Sequence, residues 1–348
     1  MRTAHRPWNI GSELRALKPA ATSLLDAANN HSWIAIQPEL LELIRLKIGA
    51  LIGNEAGLTR RSLVAREQGL TETKIAQLDD YCESADFSAL EKRCLAFAEM
   101  FVIDVGSLTE ADVGTLRKYY SAEQCRAFAV ALYITECTQR LEIVGQMLLG
   151  GSEDGHPITG GTANASSQAH DAHAQLEAAL ERYQEAVVQG NVLDIVVTEL
   201  VRLRCARTHN CRICKTLRLA NARAAGVDDD LTAKIDYYEK SDLDERIKTA
   251  LRITDAFITR PDTLTEEVIR QARATFTREA LAELCLDITK WSTQKIYVAL
   301  GTDAADVLPK NEQGISFFDF DQNGRVTGFT AASQFETENV TTDALGVR

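Results

Sequence analysis

The sequence predicts an all-α protein made of two tandem helical repeats, followed by a short C-terminal β-hairpin. Three observations lead to this prediction: apolar residues at helical spacing, an internal similarity between the two halves, and an Asn-Gly turn between two strand-like stretches. The chain has 348 residues, of which 45% are hydrophobic and 25% charged, so it is long enough for two globular domains.

Helical periodicity is clearest in two stretches, one in each half of the chain. Apolar side chains three or four residues apart form one face of a helix, which predicts a buried helix in each stretch. In the second stretch, Pro261 is expected to mark the helix end. The residues of the two faces are Leu90, Cys94, Phe97 and Phe101 in the first, and Ile247, Ala250, Leu251, Thr254 and Ile258 in the second.

The internal similarity is strongest between Glu42–Gly69 and Glu199–Gly226, which align without gaps at an offset of 157 residues. It resumes after one gap, where Phe101 aligns with Phe257. This pattern predicts a tandem duplication. Nine of the 28 aligned positions are identical, and in the first copy they are Glu42, Leu43, Arg45, Leu46, Thr59, Arg61, Ala65, Arg66 and Gly69.

The predicted boundaries follow from this repeat. Residues 1–149 form a first helical domain, and 150–167, rich in Gly, Ser, Thr and Asn, form an exposed linker. Residues 168–308 form a second helical domain, and 309–348 contain the hairpin and a tail.

The predicted hairpin turns at Gln322-Asn323-Gly324, between two stretches of alternating apolar residues. The same turn partly matches a calcium-binding loop, because Asp319, Asp321, Asn323 and Gly324 occupy its positions 1, 3, 5 and 6. Position 12 is Thr330 instead of a bidentate Glu, so the sequence favours the hairpin.

The chemically most informative motif is His-Asn-Cys-Arg-Ile-Cys, which ends at Cys214. Asn210 is expected to cap a helix that runs from Cys211 to Ala225, with Gly226 just beyond its end. Two cysteines three apart at a helix start can form a disulfide, and the helix dipole favours the thiolate. Three nearby cations add to this effect, namely Arg212, Lys215 and Arg218.

Glu199 lies twelve residues before Cys211, on a helix expected to end near Thr208. A helical hairpin would bring this carboxylate back toward the thiols, where a partly buried Glu could transfer protons. Arg202, one turn further along, could instead hold Glu199 in an ion pair. The sequence leaves both interpretations open.

The stretch from Glu199 to Gly226 resembles the carboxymuconolactone decarboxylase superfamily, in its alkylhydroperoxidase D-like branch. The resemblance implies an all-helical homo-oligomer in which Cys214 faces the peroxide, Cys211 resolves the intermediate and Glu199 relays protons. One position departs from the family pattern, because Arg218 stands where the family has a histidine.

Arginine cannot relay protons at neutral pH, although the Arg218 charge could stabilise a Cys214 thiolate. His209 could take over part of the general-base role, or it could be a solvated loop histidine.

The first copy has Asn54 and Gly57 at the two cysteine positions, so it cannot perform dithiol chemistry and is expected to act as a scaffold. Because Glu42 and Arg61 recur as Glu199 and Arg218, that pair could belong to the packing, which would make Glu199 structural.

A net charge of −12 argues against nucleic-acid partners and against binding to anionic membranes. No stretch is apolar enough to span a membrane, and Met1–Ala20 lacks a signal-peptide core, so a cytoplasmic location is expected. The cysteines outside the motif are expected to be small core residues in a reducing compartment, namely Cys82, Cys94, Cys125, Cys137, Cys205 and Cys285.

A zinc site is disfavoured. Cys205, His209, Cys211 and Cys214 supply suitable ligand types, but Cys205 would lie inside the preceding helix and no second C-x-x-C is present. We therefore expect neither a metal nor a bound cofactor.

The leading hypothesis is a thiol-dependent peroxidase or disulfide oxidoreductase. It would act on a hydroperoxide or a partner disulfide and be reduced by an external dithiol or a thioredoxin-like protein. The alternative is a noncatalytic redox-sensing or assembly protein of the same fold. Lactone decarboxylation is the third hypothesis, and it leaves Cys211 and Cys214 without a role.

Overall fold

A computed structural model describes residues 7–151, 169–304, 306 and 308–331. We call 7–151 the first half and the described residues from 169 onward the second half. The predicted linker from residue 152 on, and the tail from residue 332 on, lie outside the described residues. The helices of the first half are α1 (Ser12–Leu17), α2 (Pro19–Ala35), α3 (Pro38–Ile52), α4 (Glu55–Thr59), α5 (Leu63–Glu67), α6 (Glu72–Ala76), α7 (Ala89–Ile103), α8 (Glu110–Leu116) and α9 (Ala122–Leu149).

The second half is also mostly helical, and it contains the strands. Short 3₁₀ turns cover Val105–Ser107, Lys234–Lys240 and Pro261–Thr263. The helices of the second half are α10 (Ala169–Val188), α11 (Ile195–Thr208), α12 (Arg212–Thr216), α13 (Ala220–Ala224), α14 (Asp229–Ala233), α15 (Glu245–Ile258), α16 (Glu266–Thr275), α17 (Arg278–Ser292) and α18 (Gln294–Ala299). The strands are β1 (Leu217–Leu219), β2 (Ser316–Phe320) and β3 (Val326–Thr330).

Polar side chains cap the N-terminal ends of the main helices. Ser88 caps α7 and Ser121 caps α9, each in a capping box that satisfies two backbone N–H groups. Asp244 caps α15 by accepting from the Ile247 N–H. Both helices predicted from apolar spacing, α7 and α15, are confirmed, and the chain turns into a 3₁₀ segment at Pro261.

The two halves share one hydrophobic core, in which α9 packs on α17 and α2 packs on α10. Polar contacts cross the same boundary: the Tyr133 hydroxyl donates to the Thr289 carbonyl at 2.6 Å. Lys295 of α18 donates to buried Glu136 of α9 at 2.5 Å. Each half therefore supplies part of the interior of the other.

The C-terminal hairpin is confirmed, with β2 and β3 antiparallel. Asp321 closes its turn by accepting from the backbone N–H groups of Asn323 and Arg325, at 2.8 and 2.9 Å. The hairpin is also joined by β1, which pairs in parallel with β2 so that Arg218 lies opposite Phe317. The hairpin is therefore hydrogen-bonded to the segment that directly follows the Cys211–Cys214 motif.

A search of the helices within the described ranges found none whose length and hydropathy would let it cross a lipid bilayer.

Candidate dithiol site

Cys211 and Cys214 form a disulfide, with their Cα atoms 5.3 Å apart. Cys211 is fully buried and is the N-cap of α12, because its Sγ accepts from the Cys214 backbone N–H at 3.2 Å. Cys214 is only partly buried. The two sulfurs therefore differ in access: solvent reaches Cys214 more readily than Cys211.

The prediction of one continuous helix from Cys211 to Ala225 is wrong. The chain forms the short helix α12, extends as β1, and then turns into α13. Asn210 is not the cap; it adopts a left-handed backbone with φ of 56°, and its side chain accepts from Lys215 Nζ at 2.7 Å. Gly226 does follow the end of α13, with φ of 101°.

Asp303 holds the first turn of α12, and no motif in the sequence predicted this role. Its carboxylate accepts from the Arg212 backbone N–H at 2.8 Å and from the Arg212 side chain at 2.7 Å. Its carbonyl accepts from the Ile213 N–H at 3.1 Å. Burial tends to raise the pKa of Asp303, but the hydrogen bonds from Arg212 outweigh it and lower the pKa. An ionised Asp303 thus fixes the start of the cysteine turn.

Glu199 forms the ion pair with Arg202 that the sequence left as an alternative. Arg202 donates from Nε and Nη2 to the two Glu199 oxygens, at 2.5 and 2.7 Å, and both side chains are buried. Arg202 also donates to the carbonyls of Cys214, at 3.2 Å, and Leu217. The Glu199–Arg202 pair therefore holds the backbone on both sides of the short helix α12.

Two aromatic rings lie beside the Arg202 guanidinium. Its central carbon is 5.9 Å from the centre of the Trp291 ring and 5.6 Å from that of Phe318. Trp291 belongs to α17 and Phe318 to β2. Arg202 thus connects the cysteine turn to the hairpin.

His209 is buried, so the interpretation as a solvated loop residue is wrong. It follows the end of α11, and its Nε2 lies 3.2 Å from the Ser292 hydroxyl. Burial, together with the charges of Lys295 and Arg140, lowers the pKa of His209 well below its usual value. The imidazole is therefore neutral at pH 7.

Arg218, expected to stabilise a Cys214 thiolate, donates from Nη1 to the carbonyls of Lys215 and Leu217 at 2.9 and 2.8 Å. Its Nε is buried and has no hydrogen-bond partner among the described residues. Burial and the neighbouring Arg202 charge lower the pKa of Arg218 to about 10. These contacts join the guanidinium to the backbone around Cys214, and the sulfur is not among them.

The first half contains the same ion pair. Arg45 donates to both oxygens of Glu42, at 2.7 and 2.9 Å, and to the Gly57 carbonyl at 2.8 Å. Arg45 also donates to the Arg60 carbonyl at 2.9 Å. The partner of Glu42 is thus Arg45, and the expectation that Glu42 pairs with Arg61 is wrong.

These contacts correspond at one constant offset. Adding 157 to Glu42, Arg45, Gly57 and Arg60 gives the four residues joined in the second half: Glu199, Arg202, Cys214 and Leu217. The backbone donor to the carboxylate corresponds as well, since Ser62 N–H donates to Glu42 and Leu219 N–H to Glu199.

Asn54 takes the place of the first cysteine. Its side-chain oxygen accepts from the Gly57 N–H at 2.9 Å, as the Cys211 sulfur accepts from the Cys214 N–H. A Cβ on Gly57 would lie only 2.5 Å from the Asn54 amide nitrogen. The Asn54 side chain therefore occupies the space into which a second side chain would extend.

The remaining cysteines are unpaired, and five of the six are buried, as expected. Cys82 is the exception, because it is exposed. Within the part of the chain that the structure describes, no group of three or more His, Cys, Asp or Glu side chains is arranged to hold a metal ion.

Comparison with known proteins identifies relatives in Mycobacterium tuberculosis. The uncharacterized proteins Rv2313c, from strain H37Rv, and MT2376, from strain CDC 1551, are each 33% identical to this chain over 286 residues. The alignment covers 81% of this chain and 93% of each relative. The chain belongs to their family.

No protein-family model matches the chain, and no solved structure matches it. Because the names of these two relatives state no activity, membership of their family specifies no reaction. A function has to be argued from the geometry around Cys211 and Cys214.

Proposed function

We propose that this protein is a thiol oxidoreductase whose Cys211–Cys214 dithiol reduces hydroperoxides or partner disulfides. The observation that supports this most strongly is the unequal access of the two sulfurs. Cys214 is partly exposed, so it can meet a substrate, whereas Cys211 is buried at the start of α12. The resemblance to the alkylhydroperoxidase D-like branch assigns the same roles.

The proposed catalytic cycle has three steps: oxidation of Cys214, formation of the disulfide, and reduction of the disulfide. The Cys214 thiolate attacks the peroxide, the O–O bond breaks, and the alcohol leaves with a proton while the sulfur becomes a sulfenic acid. The Cys211 thiol then attacks that sulfur, releasing water and forming the disulfide. An external dithiol, or a thioredoxin-like protein, returns two electrons and two protons.

The position of Cys211 at the N-terminus of α12 favours the last step, the reduction of the disulfide. When a reductant attacks the accessible Cys214 sulfur, Cys211 leaves as a thiolate. The Cys214 N–H that points at the Cys211 sulfur stabilises this negative charge. No bound cofactor takes part in this proposal.

Glu199 is a positioning residue in this mechanism. Both of its oxygens accept from Arg202, which in turn holds the Cys214 carbonyl. We assign the acid–base role to neutral His209, with Ser292 orienting its ring.

Stopped-flow consumption of cumene hydroperoxide, with dithiothreitol as reductant, tests the proposal. We expect turnover by the wild type, loss of turnover in Cys214→Ser, and unchanged turnover in Cys82→Ser, which removes the exposed cysteine outside the site. Equal rates for wild type and Cys214→Ser would exclude the activity.

A redox sensor is the second candidate, and one observation favours it. The segment that follows Cys214 is β1, which pairs with the hairpin, so a change at the disulfide can reach the surface of the protein. Mass spectrometry of the thiol state after mild oxidation distinguishes the two functions. A disulfide that forms once without catalytic cycling supports the sensor.

We also propose that the chain arose by tandem duplication and that the first copy lost its thiols. The matching hydrogen bonds at an offset of 157 support this history. Asn54→Cys/Gly57→Cys restores both thiols and removes the obstructing Asn54 side chain. We expect this variant to gain one disulfide, counted by mass spectrometry, whereas a variant that stays reduced would contradict equivalence of the two turns.

We propose a cytoplasmic location and a homo-oligomeric state as well. The six unpaired cysteines outside the motif fit a reducing compartment. Sedimentation velocity on the full-length protein tests the oligomeric state, and a monomer at micromolar concentration would contradict it.

A further inference from the structure

Lys290 has no acceptor for its charge among the described residues. Its ammonium lies 4.5 Å from the centre of the Trp291 ring and 5.8 Å from that of Phe320, and no carboxylate or carbonyl of the described chain accepts from it. Burial, with a further contribution from the Arg202 charge, lowers the pKa of Lys290 to about 8 against the opposing effect of the Asp287 carboxylate, one turn earlier on α17. An ammonium offers three donors, and Lys290 is only partly buried, so its N–H groups can bind an acceptor from outside the protein.

Trp291 presents a second unsatisfied donor next to it. The indole is only 8% exposed, and its buried Nε1 has no hydrogen-bond partner among the residues that the structure describes. Buried tryptophan N–H groups normally find an acceptor. Two neighbouring donors, one of them charged, thus have no hydrogen-bond acceptor within the described part of the chain.

Apolar rings surround these donors. Trp291 and Phe320 lie 6.0 Å apart between ring centres, and Phe320 and Phe318 lie 5.5 Å apart. The Arg202 guanidinium lies against Trp291 and Phe318 and at the same time donates to the Cys214 carbonyl. One guanidinium therefore separates these rings from the dithiol turn.

We propose that Lys290 Nζ and Trp291 Nε1 together bind the carboxylate of an apolar carboxylic acid, whose hydrocarbon part packs on Phe318 and Phe320. Because Nζ lies 4.5 Å from the centre of the ring that carries Nε1, the two oxygens of one carboxylate can accept from both donors. The aromatic walls favour a hydrocarbon over a strongly hydrated phosphate.

The site also suggests a substrate class, and this step rests on the proposed function. Since Arg202 contacts both the rings and the Cys214 carbonyl, the proposed ligand site adjoins the dithiol turn, which suits a hydroperoxide substrate that bears a carboxylate. Its carboxylate stays at Lys290 while its peroxide reaches Cys214.

Isothermal titration calorimetry of the oxidised full-length protein with octanoate tests the site without any turnover. We expect saturable binding with one site per chain, and about tenfold weaker binding of octanol, which has the same apolar chain without the charge. Absence of saturable octanoate binding, or equal affinity for octanol, would overturn the proposal.

Matched variants sharpen this measurement. Lys290→Met should weaken octanoate binding about tenfold or more, and Trp291→Phe should weaken it while keeping an aromatic ring. Lys118→Met, which removes an exposed lysine of the first half, should leave the affinity unchanged. Unchanged affinity in both Lys290→Met and Trp291→Phe would exclude these donors, and circular dichroism confirms that each variant is folded.

A kinetic comparison tests the substrate class separately. The peroxidase kcat/KM for linoleic acid hydroperoxide should exceed that for its methyl ester in the wild type, and Lys290→Met should abolish this preference. An equal preference in Lys290→Met would reject the substrate assignment. Octanoate binding without any turnover would instead reject the proposed peroxidase and keep the site.

Discussion

The turn after α3 and the turn after α11 use the same backbone contacts for different purposes. In both, a buried Glu–Arg pair holds the carbonyls that flank a short helix. In the first, Asn54 caps that helix and fills the space beside Gly57; in the second, Cys211 caps it and bonds to Cys214. The comparison indicates that the ion pair maintains the turn whether or not the turn contains cysteines.

The strongest test of this comparison removes the carboxylates. Glu42→Gln and Glu199→Gln each leave a buried arginine without its counter-ion, and we expect each to lose about 3 to 5 kcal/mol of unfolding free energy in urea. If the proposed peroxidase activity exists and Glu199 relays no proton in it, folded Glu199→Gln retains that activity. A large loss of stability in Glu42→Gln but none in Glu199→Gln would contradict the comparison.

The second test uses an acid found in one half only. Asp287 of α17 is buried and accepts from the Thr198 hydroxyl at 3.0 Å, and burial raises its pKa to about 7. Counted from the helix caps Ser121 and Thr277, the corresponding residue of α9 is Ala131.

Because the folded state binds the Asp287 proton more tightly than the unfolded state, this group favours folding below about pH 4. Its contribution, about 4 kcal/mol, is lost as the pH rises to about 7. Unfolding free energies measured between pH 4 and pH 7 should therefore fall less in Asp287→Asn than in the wild type. Equal pH dependence in the two proteins would show that Asp287 does not titrate in this range.

The third test concerns the disulfide itself. Closing so short a loop should contribute about 2 kcal/mol to the oxidised protein. We expect dithiothreitol to lower the unfolding free energy of the wild type by that amount and to leave Cys211→Ser/Cys214→Ser unchanged. A reductant effect that persists in the double variant would place its origin elsewhere.

The smallest expected effect lies in the first half. Gly57→Ala places a Cβ against the Asn54 amide, so we expect a loss of about 1 to 2 kcal/mol. Adding Asn54→Ser, which keeps a capping oxygen on a shorter side chain, should recover part of the loss. Urea unfolding of the single and double variants measures both, and an unchanged Gly57→Ala would disprove the steric argument.

Local spacing in the sequence predicted helices α7 and α15 and offered the Glu199–Arg202 ion pair as one of two interpretations of Glu199. The apolar faces of α7 and α15, the end of α11 at Thr208 and the i,i+3 spacing of Glu199 and Arg202 are all visible in short stretches. The offset of 157 also identified the residues that share contacts in the two halves.

The break between α12 and α13 could not be predicted in the same way. The stretch from Lys215 to Leu219 contains good helix formers, but pairing with a distant strand makes part of it β1. Asp303, Lys290 and Trp291 reach the site from far along the chain, so no local pattern connects them with the cysteines.

The parallel pairing of β1 with β2 has a consequence for the growing chain on the ribosome. Leu217–Leu219 finds its partner about 100 residues later, so the sheet beside the cysteines cannot form until β2 has been synthesised. Helices of the first half can begin to assemble well before that point. The sheet beside Cys211 and Cys214 therefore forms after the helices of the first half have begun to assemble.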